Sequence, residues 1–246
     1  MKSVEICVFS PESCLNAQKA GAQRVELCAG LHEGGTTPSA GLVAWAVENL
    51  TIETHVMIRP RGGDFCYDDL EYETMCQDIE VIKKIGAAGV VLGILNPNGT
   101  VDIARTKALV NLAKPLHTTF HRAFDRTIEP LAALKHVIET GAIRLLTSGH
   151  KPSAVEGKTL LGQLVAAAAG QIEIMAGAGV CAENAVELLA MGVDALHLTA
   201  KTTRPSLMQY QNPELKMASA ISVSDFEIVY SDTEKIRAVC ELSSSK

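Results

Sequence analysis

The sequence has no long apolar run and no surplus of basic residues. No stretch of roughly 18 consecutive apolar residues occurs, so no membrane span is predicted. The net charge of −6 leaves no excess of Lys and Arg to neutralise phosphates, which argues against binding to bulk nucleic acid. Residues 1–9 lack an apolar segment followed by a small-residue cleavage site, so no secretion signal is expected. We therefore expect a cytoplasmic protein that binds neither nucleic acid nor membrane.

Aromatic residues are scarce, and the cysteines lack the spacing of a disulfide scaffold or a redox motif. Only 4% of the residues are aromatic, and the seven cysteines are scattered, with no C-x-x-C string. Their odd number and low density indicate free thiols in a reducing compartment. What the chain does contain is 47% hydrophobic residues, rich in Ala, Val, Ile and Leu. That composition is typical of parallel strands covered by helices.

Short β-rich runs alternate with helical stretches along the whole chain. The predicted strands are residues 3–9, 24–28, 54–59, 89–93, 117–121, 143–147, 172–176 and 195–199, with helices that include residues 11–21, 69–86, 103–113 and 182–191. Eight such units in 246 residues predict one α/β domain, a (β/α)₈ TIM-type barrel spanning residues 1–246. An open doubly wound sheet is the alternative. The barrel is favoured because eight units fit its size and no dinucleotide fingerprint follows the first strand.

The inward faces of the predicted strands are unusually polar. Side chains alternate between the two faces of a strand, and the outward face of a barrel packs on helices, so apolar positions such as Val4 and Ile6 face outward. The inward positions include Glu5, Cys7, Glu26, Cys28, His55, Arg59, His121 and His197. A barrel interior that serves stability alone is mostly Val, Ile and Leu. These residues predict a site at the C-terminal ends of the strands, with a mutually satisfied Glu–Arg–His network as the alternative.

Charged residues follow the third predicted strand. Arg59, Arg61 and Asp64 belong to the string R-P-R-G-G-D-F, in which proline stiffens the turn and the glycines free the backbone. Guanidinium groups bind carboxylate or phosphate in a bidentate manner, so we expect an anion-binding role. An Arg–Asp pair that only fixes the loop is the alternative.

His121 ends the fifth predicted strand and is followed by Arg122 and Asp125. An imidazole at a strand end can act as general acid or base, and the neighbouring charges favour a ligand-binding role for this segment. His117 lies four residues earlier on the same face, about 13 Å deeper. The two imidazoles are therefore not predicted to share a metal ion.

A glycine-rich segment follows the seventh predicted strand and opens a helix. Gly177 and Gly179 would let backbone amides approach an anion at the helix start, a common phosphate site in barrels. Ser148 after the sixth strand and His197 on the eighth add polar contacts to the same predicted site. An ordinary tight turn is the alternative for the glycines.

Cys7 and Cys28 face inward on neighbouring predicted strands, which lie about 5 Å apart. Two thiolates with Met57 nearby suit a soft ion such as Cu(I). A zinc site would need four ligands, and no such cluster is predicted. The alternative is that both cysteines are small buried hydrophobic residues.

Seven strings of residues resemble the CutC family. The matching strings are residues 4–7, 24–28, 33–39, 58–65, 119–125, 146–149 and 175–179. They follow one another in order over almost the whole chain, and the strings containing Arg59 and His121 are the most specific. The resemblance implies a TIM-type barrel that forms a homodimer, a role in copper homeostasis, and Cu(I) bound by cysteines at the positions of Cys7 and Cys28.

Two functions and one non-catalytic role are consistent with these residues. The first is a cytosolic copper homeostasis protein that binds Cu(I) through Cys7 and Cys28, which the resemblance favours. The second is an enzyme acting on a small phosphorylated or carboxylated metabolite, with His121 as acid–base group and Glu26 or Glu5 as its partner. The third is a dimeric scaffold whose lumen serves stability. We expect the first, with the enzyme as its alternative; whether the protein is an enzyme stays open.

Overall fold

Eight parallel strands close into a barrel in the computed structural model, which describes residues 2–212, 214–215 and 224–244. The strands are β1 (Ser3–Val8), β2 (Arg24–Leu27), β3 (Glu53–Met57), β4 (Gly89–Leu92), β5 (His117–Phe120), β6 (Arg144–Thr147), β7 (Glu173–Gly177) and β8 (Ala195–Leu198). Each strand pairs with the next, and β8 pairs with β1 through Glu5 opposite His197. The predicted TIM-type (β/α)₈ barrel is confirmed.

Helices cover the outside of the barrel. They are α1 (Pro11–Lys19), α2 (Ala40–Asn49), α3 (Asp69–Ile85), α4 (Ile103–Ala113), α5 (Pro130–Thr140), α6 (Lys158–Ala168) and α7 (Ala182–Ala190). The longest, α3, begins with a capping box in which Asp68 and Glu71 each accept from the other's backbone amide. The helix is followed by Gly86, whose φ of 93° is a left-handed conformation that glycine adopts at little steric cost. Local sequence therefore sets both ends of this helix.

Several strands end earlier than predicted. β3 stops at Met57, and the backbone amide of Arg59 donates instead to Thr37 Oγ1 at 3.0 Å. β5 stops at Phe120, one residue before His121. Arg59 therefore bonds to the loop after β2, whereas the His121 amide still donates to the Leu92 carbonyl of β4 at 2.9 Å.

An antiparallel ribbon after the barrel was not predicted from the sequence. It pairs β9 (Lys201–Pro205) with β10 (Glu227–Ser231) and leads into α8 (Thr233–Ser244). The Ser231 amide donates to Ser13 Oγ of α1 at 3.0 Å, which fixes the ribbon to the barrel's first helix. Within the described ranges, no helix combines the length and apolar character needed to cross a bilayer.

The main apolar core lies between the strands and the helices. Outward residues of the strands, including Val4, Ile6 and Val8, are completely buried there, each stabilising the fold by about 1.5–3 kcal/mol. The inward residues Glu5, Cys7, Glu26, Cys28, Arg59 and His121 are buried in the lumen. The alternation predicted from the sequence thus brings polar groups of several strands together inside the barrel.

Candidate functional site

A cavity of about 490 Å³ opens at the C-terminal ends of the strands. Its walls come from seven barrel strands or their following loops and combine charged, aromatic and sulfur-containing side chains. The lining residues include Cys7, Glu26, Met57, Arg59, Phe65, His121, Arg122, Gly179, His197 and Lys201. This volume and this mixture are typical of a site for a small molecule.

Cys7 and Cys28 form a thiol pair in the wall of the lumen. Their sulfurs are 3.8 Å apart, and Met57 and Val91 pack around them. The Gly35 backbone lies so close that a Cβ there would be 3.2 Å from the Cys28 sulfur. The hydrogen bond to Cys28, together with burial, raises the pKa of Cys7, while burial raises the pKa of Cys28 to about 11. Both sulfurs are therefore neutral thiols near neutral pH.

A chain of opposite charges lies beside the thiols. Arg24 Nε is 2.5 Å from Glu5 Oε2, and His197 Nδ1 is 2.8 Å from Glu5 Oε1. Burial by itself would raise the pKa of Glu5, but the His197 hydrogen bond and the Arg24 charge hold it well below its usual range. Glu5 does not line the cavity. Both of its oxygens have partners. Glu5, Arg24 and His197 thus form a Glu–Arg–His network of the kind given above as the alternative to a functional role.

Glu26 lies on the other side of the same imidazole. Its Oε2 is 3.7 Å from His197 Nε2, and burial raises its pKa. Burial opposes the charge on His197, but the carboxylate of Glu26 and hydrogen bonds to Cys7 and Glu5 raise its pKa well above the ordinary value. His197 is thus an imidazolium held between two acidic groups, within reach of the Cys7 thiol.

Arg59 holds two loops of the mouth together. Its guanidinium donates to the carbonyl oxygens of Glu33, Gly35 and Gly63 at 2.7–2.8 Å and stacks over the Phe65 ring at 4.9 Å. No carboxylate of the described residues lies within 4.0 Å of it in an ion pair. The side chain is 4% exposed, so its charge stays uncompensated at the cavity wall.

His121 is neutral. Its Nδ1 accepts from the Ala123 amide at 3.2 Å, so the proton of the neutral ring lies on Nε2. Burial, reinforced by the Arg59 charge, lowers its pKa to about 3. Gly93 makes room for the ring, because a Cβ there would be 2.7 Å from Nδ1. His121 can therefore donate a hydrogen bond, but it is a poor base.

Three buried side-chain atoms of the cavity residues have no hydrogen-bond partner anywhere in the described structure. They are Arg59 Nε, His121 Nε2 and Glu26 Oε1, and we call them the unpartnered atoms. A buried polar atom without a partner costs about 1–3 kcal/mol. Two donors and one acceptor around one cavity suit a small ligand that both accepts and donates hydrogen bonds.

Asp125 joins the loops after β5 and β6. It accepts from Arg122 Nε at 2.7 Å and Thr147 Oγ1 at 2.5 Å, and also from the amides of Ser148 and His150. Ser148 is buried and accepts from Arg122. Arg122 lines the cavity, whereas Asp125 and Ser148 lie outside the lining and fix the Arg122 side chain by hydrogen bonds.

The other predicted anion-binding residues are spread around the mouth. Arg61 pairs with Glu71 and Asp64 on the outside and does not line the cavity. Asp64 is exposed and borders a neighbouring depression of about 700 Å³. Gly179 lines the cavity with a φ of 70°, while Gly177 ends β7 against Leu146. The structure thus brings Arg59, Arg122 and Gly179 to the cavity but not Arg61.

Sequence reasoning missed Phe65 and Lys201 as residues of the cavity wall. Phe65 packs against both Arg59 and His121, with ring centroids of Phe65 and His121 4.9 Å apart. It belongs to the same string as Arg59, so that string contained the signal. Lys201 starts β9, and because the ribbon was not predicted, nothing placed this lysine at the mouth.

A closed parallel barrel with a polar cavity at the C-terminal ends of its strands places the molecule among the (β/α)₈ barrels. A family model described as CutC family matches residues 2–202. The chain belongs to the CutC family.

Two curated relatives are similar to this chain over nearly its full length. The copper homeostasis protein cutC homolog of Homo sapiens is 42% identical over 96% of this chain and 87% of its own length. A CutC family protein of Chromobacterium violaceum is 46% identical over 98% and 97%. The crystal structure of CutC from Streptococcus agalactiae has a TM-score of 0.77 at 35% identity, covering 81% of this chain and 99% of that one. Phosphoribosyl anthranilate isomerase from Thermus thermophilus, at 16% identity and a TM-score of 0.58, shares the fold.

Proposed function

We propose that the protein binds Cu(I) through the sulfurs of Cys7 and Cys28 and acts in copper homeostasis. The observation that carries this proposal is the 3.8 Å separation of two buried sulfurs beside the Met57 side chain, at the wall of an accessible cavity. Soft thiolate and thioether ligands select Cu(I) over harder ions. The names of the human and mouse relatives point the same way.

The surroundings suit a soft cation that replaces protons. Both thiols must lose their protons on binding, so affinity should rise with pH. The His197 imidazolium beside Cys7 offsets the negative charge of the resulting thiolates. Copper is bound cargo in this proposal, and the residues that hold it are the two cysteines.

Anaerobic competition with a chromophoric Cu(I) chelator tests the proposal. Wild type should take one Cu(I) per chain, and a Cys7→Ala/Cys28→Ala variant should lose that site. The matched control is Cys14→Ala/Cys240→Ala, which removes two buried thiols outside the cavity and should bind as wild type does. Equal stoichiometry and affinity in wild type and the Cys7/Cys28 variant would refute the proposal.

A second function is favoured by the unpartnered atoms. Arg59 Nε and His121 Nε2 can donate to a carboxylate or phosphate, and Glu26 Oε1 can exchange a proton with the same molecule. Because burial raises the pKa of Glu26 and lowers that of His121 to about 3, Glu26 is the better acid–base group and His121 the hydrogen-bond donor. This arrangement supports an enzyme that moves a proton on a small anionic metabolite.

Thermal-shift screening with inorganic phosphate and small phosphorylated or carboxylated metabolites tests the second function. A true ligand should raise the Tm of wild type and of Arg61→Ala, but not that of His121→Gln. Isothermal titration then gives the affinity. If no anion stabilises the wild type, or if His121→Gln responds as wild type does, the enzyme proposal fails.

We also propose that the chain works in the cytoplasm as one domain and as a homodimer. Leu207, Met208 and Tyr210, close together in the sequence after β9, are 91%, 59% and 76% exposed, and large exposed apolar side chains are typical of an interface. Light scattering should give twice the mass of one chain, and Leu207→Glu should shift it toward the monomer. A monomeric wild type at micromolar concentration would contradict the dimer.

A further inference from the structure

A second group of potential ligands lies at the opposite end of the barrel from the cavity. It consists of Glu53 and His55 on β3 and His117 on β5. One ligand atom from each residue lies within 4.8 Å of the others. Arg59, at the cavity, lies four positions after His55, which is about 13 Å along an extended chain. The cluster is therefore distinct from the thiol pair.

The strand register explains how two imidazoles on non-adjacent strands meet. His55 of β3 pairs with Gly89 of β4, and Gly89 pairs with His117 of β5. Gly89 has no side chain, and a Cβ there would lie 2.8 Å from the His55 ring. The two rings consequently approach across the glycine, with centroids 5.9 Å apart and planes inclined by 60°.

The environment of His55 indicates a site for a ligand. Its side chain is completely buried, and neither ring nitrogen has a hydrogen-bond partner within the described chain. Glu53 Oε2 is 3.3 Å from Nε2 but does not complete a hydrogen bond. A fully buried imidazole that completes no hydrogen bond at either nitrogen is costly unless something else coordinates it.

We propose that Glu53, His55 and His117 bind a divalent transition-metal ion of the Zn²⁺ type. Two imidazoles and a carboxylate are ligands that Zn²⁺ accepts, and they lack the thiolates that Cu(I) prefers. The Glu53 carboxylate is 3.3 Å from His55 Nε2, so both groups can reach one ion. His117 and Glu53 are exposed, which leaves a coordination position open to water. The barrel would then hold two metal sites of opposite chemical character.

Zn²⁺ titration by calorimetry and Co²⁺ spectroscopy test this site under reducing conditions. We expect one Zn²⁺ per chain in wild type and in Cys7→Ala/Cys28→Ala, and a Co²⁺ spectrum without a sulfur-to-cobalt charge-transfer band. His117→Ala removes an exposed ligand and should weaken binding on the order of 100-fold or more. Glu53→Gln and Gly89→Ala should also weaken it, the latter by filling the space between the rings.

The control is His136→Ala, which removes a histidine on α5 outside the cluster and should bind Zn²⁺ as wild type does. Circular dichroism and Tm of each variant show that it is folded. Zn²⁺ binding that survives His117→Ala and Glu53→Gln, or that disappears with Cys7 and Cys28, would overturn the proposal. So would the absence of a stoichiometric site in wild type.

Discussion

Glu5 and Glu26 are inward carboxylates on neighbouring strands, on either side of the same histidine, yet their surroundings differ. Both oxygens of Glu5 are bound, by Arg24 at 2.5 Å and His197 at 2.8 Å. Glu26 keeps an oxygen without a partner in the described structure and lines the cavity. The pKa is lowered in the first and raised in the second. Hydrogen bonding thus distinguishes a carboxylate whose partners all lie within the barrel from one that has an oxygen left for another molecule.

The largest effect is expected from removing the partner of Glu5. Arg24→Met leaves a buried carboxylate without its guanidinium, so the free energy of unfolding should fall by about 3–5 kcal/mol in urea titrations. Lys158→Met is the control, since it breaks the partly exposed pair with Glu187 and should cost less than about 1 kcal/mol. Equal losses in the two variants would remove the distinction drawn for Glu5.

The next effect concerns the support of His121. Gly93→Ala places a methyl group against the ring and should cost about 1–3 kcal/mol in unfolding free energy. Gly41→Ala in α2 has nothing within 4 Å of the new Cβ and should stabilise the helix by about 0.5–1 kcal/mol. If Gly93→Ala leaves the unfolding free energy unchanged, the His121 ring can move away from its observed position. Its unpartnered Nε2 would then be weak evidence for a ligand.

A pH series sharpens the comparison of the two carboxylates. Because the folded pKa of Glu26 is raised above 4.5, its contribution to stability is present below 4.5 and declines as the pH rises. The stability of Glu26→Gln should therefore increase relative to that of wild type as the pH rises above 4.5. The gain should be roughly 1.4 kcal/mol for every tenfold difference between the acid dissociation constants of Glu26 in the folded and unfolded chains.

Glu5→Gln should behave in the opposite way. Its folded pKa is lowered, so its contribution is present above 4.5 and is lost as the pH falls. The deficit of Glu5→Gln at neutral pH should narrow below 4.5, as followed by urea unfolding. Parallel pH profiles for the two variants would contradict the assignment.

The smallest effect is expected at Arg61. Its partners are the carboxylates of Glu71 and Asp64 and the carbonyl oxygens of its own loop, and because the side chain is partly exposed, Arg61→Ala should cost about 1 kcal/mol. Cu(I) affinity and anion-induced Tm shifts should stay as in wild type. A loss of anion binding would support the anion-binding role predicted for Arg61 from the sequence.

The sequence was sufficient for the barrel and for the identity of most inward residues. Alternation of apolar and polar positions placed Cys7 beside Cys28 and His121 near Arg59, since strand geometry has a fixed period of two. It could not show that Glu5 is neutralised from two sides, because this depends on the β8–β1 closure that brings His197 to it. The contact of His55 with His117 likewise depends on register across β4.

The ribbon formed by β9 and β10 has a consequence for how such a site can change. The barrel's hydrogen-bonded ladder is complete at β8, and the match to the family model stops at residue 202, just inside the ribbon. Lys201 nevertheless forms part of the cavity wall. Insertions or substitutions in this appended hairpin can therefore reshape the entrance and its charge while the closed scaffold beneath stays intact, which separates evolution of selectivity from evolution of the fold.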